Sequence, residues 1–105
     1  MTISDRYRTV TRDVDDFLAE LRAQGIEEIH GPRKVAKALQ ALNELSERVG
    51  EIPRIRLEAE LTPVLITAHK QLDWARLLFE EAGDQPRGAA VWELEQKVYR
   101  LLNDL

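Results

Sequence analysis

The sequence predicts an all-α protein, an antiparallel up-down-up-down four-helix bundle formed by one domain over residues 1–105. Three observations carry this. Glycine and proline fall mostly where helix ends belong. Apolar residues between them recur every 3.5 residues, the seam of coiled-coil-like packing. The connections are a few residues long, which favours antiparallel neighbours.

The first helix is expected over about residues 4–24, with Ser4 as its cap and Gly25 as its stop. Ile3, Tyr7, Val10, Val14, Phe17 and Leu21 give it a 4-3-4-3-4 rhythm. Residues 26–30 read as a turn or a short strand-like piece. Gly31-Pro32 opens a second helix over 32–49, with proline at its first position, where the missing N–H costs nothing. Its seam is Val35, Ala38, Leu42, Leu45 and Val49, and Gly50 is its expected stop.

Thr62-Pro63 looks like the cap and first position of a third helix over 62–82, closed by Gly83. Residues 54–61 alternate like a strand, yet Leu57 and Leu61 continue the seam of Leu65, Ala68, Leu72, Ala75, Phe79 and Ala82. An N-terminal helical extension from residue 54, bent at Pro63, is preferred, because the only candidate partner strand is too short. The fourth helix is expected over 86–104, opened by Asp84 to Pro86, with Val91, Leu94, Val98, Leu101 and Leu105 on its seam. Gly88 in its first turn weakens that start.

Composition removes function classes. The chain is 44% hydrophobic and 32% charged, a balance for a folded globule and not for a disordered tail. No apolar run approaches the roughly 20 residues that span a membrane. Without cysteine, disulfides and Cys-ligated metal centres are excluded. The start, MTISDRYRTV, does not read as a secretory signal, so a cytoplasmic location is the expectation. The net charge of −4 lacks the basic surplus of a protein bound mainly to phosphates. Charge is mixed in both halves, with eight Lys/Arg and nine Asp/Glu in residues 1–50 and seven and ten after them.

Catalytic constellations are thin. Glu44 and Glu47, and Glu80, Glu81 and Asp84, are carboxylates of the kind that hold magnesium on helices. Glu44 and Glu47 project from the face opposite the seam, however, and Asp84 lies beyond the Gly83 stop. Both groups read as solvated charge. His69 and Asp73 stand four residues apart on one face, which reads as an edge-of-core histidine with a local partner. No enzyme activity, metal or cofactor is expected.

Two features look unfinished. Arg33, Lys34 and Lys37 crowd the first turns of the second helix, where the dipole favours acidic side chains. They read as a solvated helix start, or one paired internally by Glu27, Glu28, Glu80, Glu81 and Asp84 expected at the same end of the bundle, or as a candidate site for an anion or an acidic partner. The sharper feature is a second apolar stripe. At 100° per residue, Ile66, Trp74 and Leu77 lie roughly opposite the third helix's seam, with the Lys70 stem between them. Trp92 and Tyr99 lie seven residues apart, away from Leu94 and Val98. Either a loop folds over these groups or they face a partner. Tryptophan and tyrosine dominate binding hot spots, and Arg76 and Arg100 sit on the same two helices.

The sequence therefore points to a non-enzymatic protein–protein interaction module working through its third and fourth helices. A small adaptor, an antitoxin-like or phage-type protein, or an inhibitor of a larger complex fits this size. The partner is another protein or a second copy in a homodimer. Binding of nucleic acid or a phosphate ligand at Arg33, Lys34 and Lys37 is the alternative.

Overall fold

A computed structural model describes residues 1–105 and is all-helical, with four helices packed against one another. They are α1 (Ile3–Ala23), α2 (Pro32–Ser46), α3 (Arg54–Glu81) and α4 (Gln85–Asn103), with single 3-10 turns at Glu28–His30 and Val49–Glu51. At about 1.5 Å rise per residue, the 28 residues of α3 match the molecule's 43 Å long axis.

Cross-helix contacts fix the topology. The Tyr7 hydroxyl donates to the Leu42 carbonyl and the Ser4 hydroxyl to Val49, so α1 runs against α2. Arg48 pairs with Glu60 at one end of α2 and α3, while Lys34 meets Trp74 at the other. Arg6–Asp104 and Lys97–Asp13 close α4 against α1. Every sequential pair is antiparallel, as the short connections require.

The core is the seam anticipated from the rhythm, except that Ala82, which caps α3 beyond Glu81, is exposed. Tyr7, Val14, Leu42, Leu61, Leu65, Leu72, Val91 and Leu101 are among its fully buried members. Phe17 stays partly buried and meets Phe79 edge-on at 6.5 Å, while Leu18 beside it goes inside.

The boundaries differ from the sequence reading where a competing signal won. Thr2, not Ser4, caps α1. Its hydroxyl accepts the Asp5 N–H at 3.0 Å while the Asp5 carboxylate accepts the Thr2 N–H at 3.3 Å, a reciprocal capping box. Gly25 and Gly83 do end helices, both at positive φ (73° and 74°). In each case the next residue's N–H reaches back five residues, Ile26 to Leu21 and Asp84 to Phe79. Gly50 does not act this way. α2 ends at Ser46, and the following 3-10 turn brings Val49 inward by another route. α3 starts at Arg54 after Pro53 and continues through Pro63, as the preferred N-terminal extension requires. Residues 26–30 contain a 3-10 turn and no strand.

Gly31 has the tightest local requirement. Its φ is 141°, and the Phe79 ring occupies the space a Cβ would need. This contact docks the start of α2 onto the end of α3 and places Lys34 one turn further along, against α3.

Candidate functional site

The bundle divides its large apolar side chains unevenly. α1 and α2 leave none exposed along their lengths. α3 and α4 expose five of those in the second stripe: Ile66 (41%), Trp74 (53%), Leu77 (44%), Trp92 (48%) and Tyr99 (51%). No loop folds over them, so the reading that they complete the intramolecular core fails. Exposed Ile29 and Ile55 were not singled out from sequence. Each sits next to an element boundary, where helical periodicity gives no face.

Helix geometry explains the exposure. Leu72 and Ala75 on the α3 seam are buried, and Trp74 between them is turned away by the 100° step. On α4, Val91 and Val98 are buried, and Trp92 and Tyr99, one position further on, face out.

The basic start of α2 adjoins this face. The Lys34 ammonium stands 3.5 Å from the centroid of the Trp74 ring, a cation–π contact. Two features forty residues apart in sequence thus form one surface. Direct internal pairing of these cations is not seen, which leaves the solvated and anion-site readings. Glu28 pairs with Arg22, Glu80 with Arg76 and Asp84 with Arg87. No ion pair of the structure includes Arg33, Lys34, Lys37 or Lys70. Desolvation pulls the Lys34 ammonium below its ordinary pKa, and the nearby Lys37 and Arg33 charges add to the effect. Arg33 still acts on the nearby Glu28 carboxylate, helping to hold its pKa low after Arg22.

A polar cluster lies in the adjoining α3–α4 seam. Glu95 is 3% exposed. Arg76 Nε lies 3.3 Å from Glu95 Oε2, and His69 Nε2 lies 3.9 Å from Glu95 Oε1. Burial, followed by the adjacent Asp73 carboxylate, pushes the Glu95 carboxyl up to about 8, partly opposed by Arg76. Asp73 is held low, first by its hydrogen bonds from Arg76. His69 thus approaches Glu95 across the helix pair, at 3.9 Å and beyond hydrogen-bond reach, besides the Asp73 that the sequence offered. Arg76 donates to Asp73 and Glu80, which removes it from the outward-facing set, and leaves the buried Glu95 Oε2 without a hydrogen-bond partner. Glu95 was missed although the signal existed: it falls on the 4-3 rhythm between Val91 and Val98.

Glu44, Glu47, Glu80 and Glu81 are exposed, as solvated charge should be. Asp84 caps α4 through the Arg87 N–H. No group of three or more His, Asp or Glu side chains is arranged to hold a metal ion, and no helix is long and apolar enough to cross a membrane. Among known proteins, no family model, curated sequence or solved structure matches the chain.

Proposed function

We propose that the chain is a non-enzymatic protein-binding module whose working surface is the outer face of α3 and α4. The carrying observation is the exposure of Ile66, Trp74, Leu77, Trp92 and Tyr99 on two helices whose seams are already filled. Isolated exposed apolar residues are ordinary, but a bulky set on adjoining helices marks an interaction surface. Aromatic anchors of this kind supply most of the energy in protein interfaces. A role as a small adaptor or inhibitor within a larger assembly, or as a homodimer, suits a bundle without a reactive constellation.

The test is the double substitution Trp74→Ala with Trp92→Ala. Association with a partner, or with itself, is expected to weaken by tenfold or more, on the order of the ~1.4 kcal/mol that defines a decade. Helicity by circular dichroism should be unchanged. Undiminished association would refute the proposal.

The unpaired Arg33, Lys34 and Lys37 favour a second reading, binding of nucleic acid or a phosphate ligand. It requires affinity that falls steeply with salt and is lost on Arg33→Glu with Lys34→Glu. Salt-insensitive binding removes it.

A further inference from the structure

We infer that the partner contacts the α2–α3 side of this surface through an acidic protein segment carrying an apolar anchor, seated between Trp74 and Leu77 and the unpaired cations of α2. This rests on the protein-binding reading above and names the chemistry of its partner.

The argument begins with charge. The chain carries a net charge of −4, yet Arg33, Lys34 and Lys37 fall within five residues of α2, and Lys70 stands one turn before Trp74 on α3. None of the four has an acidic partner in the structure. Of the acidic groups at this end, Glu28, Glu80 and Asp84 are taken up by Arg22, Arg76 and Arg87, Glu27 stands beside His30, and Glu81 forms no ion pair. Lys34, after its desolvation, feels the like charges of Lys37 and Arg33, and a carboxylate brought from outside relieves that repulsion. Complementary charge of this kind sets partner choice and speeds encounter.

The apolar part is provided by the same side chains. The Lys34 ammonium stands over one face of the Trp74 indole, which restricts the ring and leaves the rest of its exposed surface for contact. A fixed aromatic loses little freedom on binding. Leu77 stands three residues beyond Trp74, on the neighbouring turn of the helix, and is also exposed. An apolar side chain of the partner packs against this pair while its carboxylates meet Lys34, Lys37 and Lys70. Other cations without acidic partners, such as Arg12 and Arg100, have no exposed tryptophan with a lysine fixed upon it. A protein segment is favoured over a polynucleotide because the overall charge is negative, the indole has one face occupied, and Leu77 offers no stacking surface.

The experiment is a selection from a random peptide library displayed on phage, run against the full chain and against a Lys34→Glu with Lys37→Glu variant. Selected peptides are then measured by anisotropy. Peptides enriched in Asp and Glu beside a Leu, Phe or Trp are expected, with affinity falling at least tenfold in the charge-reversed variant and in Trp74→Ala. The variant itself should select basic peptides. Binders without acidic bias that are lost on Trp92→Ala but unaffected by charge reversal overturn this inference and leave the protein-binding reading standing. Binders indifferent to both changes, or no binders, overturn both. A 20-nucleotide single strand bound with the same dependence on Lys34 and Trp74 overturns it in favour of nucleic acid. Self-association by sedimentation that is lost on charge reversal overturns it in favour of a second copy.

Discussion

The α1–α2 hairpin and the α3–α4 hairpin share one core but treat their aromatic residues in opposite ways. Tyr7 on α1 is fully buried, and its hydroxyl is satisfied by the Leu42 carbonyl. That burial pushes its pKa above the ordinary phenol value. Tyr99 on α4 is half exposed, as are both tryptophans. The first hairpin spends its apolar residues on folding. The second does so and retains a second set that folding does not require. A helix needs only one stripe to join a bundle, so the extra stripe calls for a cause outside the core.

The largest effect that sharpens this contrast comes from two neighbours on α3. Leu72→Ala removes a fully buried side chain and should cost about 2–5 kcal/mol of stability, including the cavity it leaves. Trp74→Ala removes a larger but exposed side chain and its cation–π contact, and should cost about 1 kcal/mol or less. Urea denaturation of the two variants measures both. Equal losses would place Trp74 in the core and erase the distinction between the hairpins.

A smaller effect separates the polar seam of the second hairpin from the dry core of the first. Glu95 is raised from 4.5 to about 8 in the folded chain. Between those values the folded state keeps a proton that the unfolded state releases. Stability is therefore fully present below about pH 4.5 and falls as pH rises towards 8, by at most about 1.4 kcal/mol per pH unit. Asp73, Glu28 and Asp84 are shifted downward, so their contribution is lost only at lower pH and runs in the opposite direction. Denaturation midpoints of the native chain should decline across this window, and Glu95→Gln should flatten the decline. A variant with the same slope would show that Glu95 is not its source.

Which parts were legible follows from how local their signals are. The seams of all four helices stand in the 3.5-residue rhythm. Gly25 and Gly83 marked helix ends because their positive φ is a local need of the chain. Gly50 misled because a glycine without that need is only a permissive residue, and α2 had ended at Ser46. The cap falls at Thr2 rather than Ser4 because the Thr2–Asp5 pair satisfies two backbone N–H groups at once. Pro63 suggested a start, but a proline on an exposed helix face is tolerated where the seam on either side of it is buried.

The outward residues were also readable, since Trp74 and Trp92 fall off their seams by angle alone. Their joining with Lys34 was not. It depends on Gly31 letting the Phe79 ring approach, a long-range contact that sets where α2 begins against α3. The pairing of Glu28 and Asp84 with other arginines was equally hidden, because several cations and carboxylates crowd that end and only coordinates decide among them.

The most direct test is acrylamide quenching of tryptophan fluorescence, recorded on samples shown by light scattering to be monomeric. Trp74 and Trp92 should both be readily quenched in the monomer, and a bound partner or self-assembly should protect them. Two tryptophans shielded from acrylamide in a proven monomer would contradict the division between the hairpins and remove the basis for the binding surface.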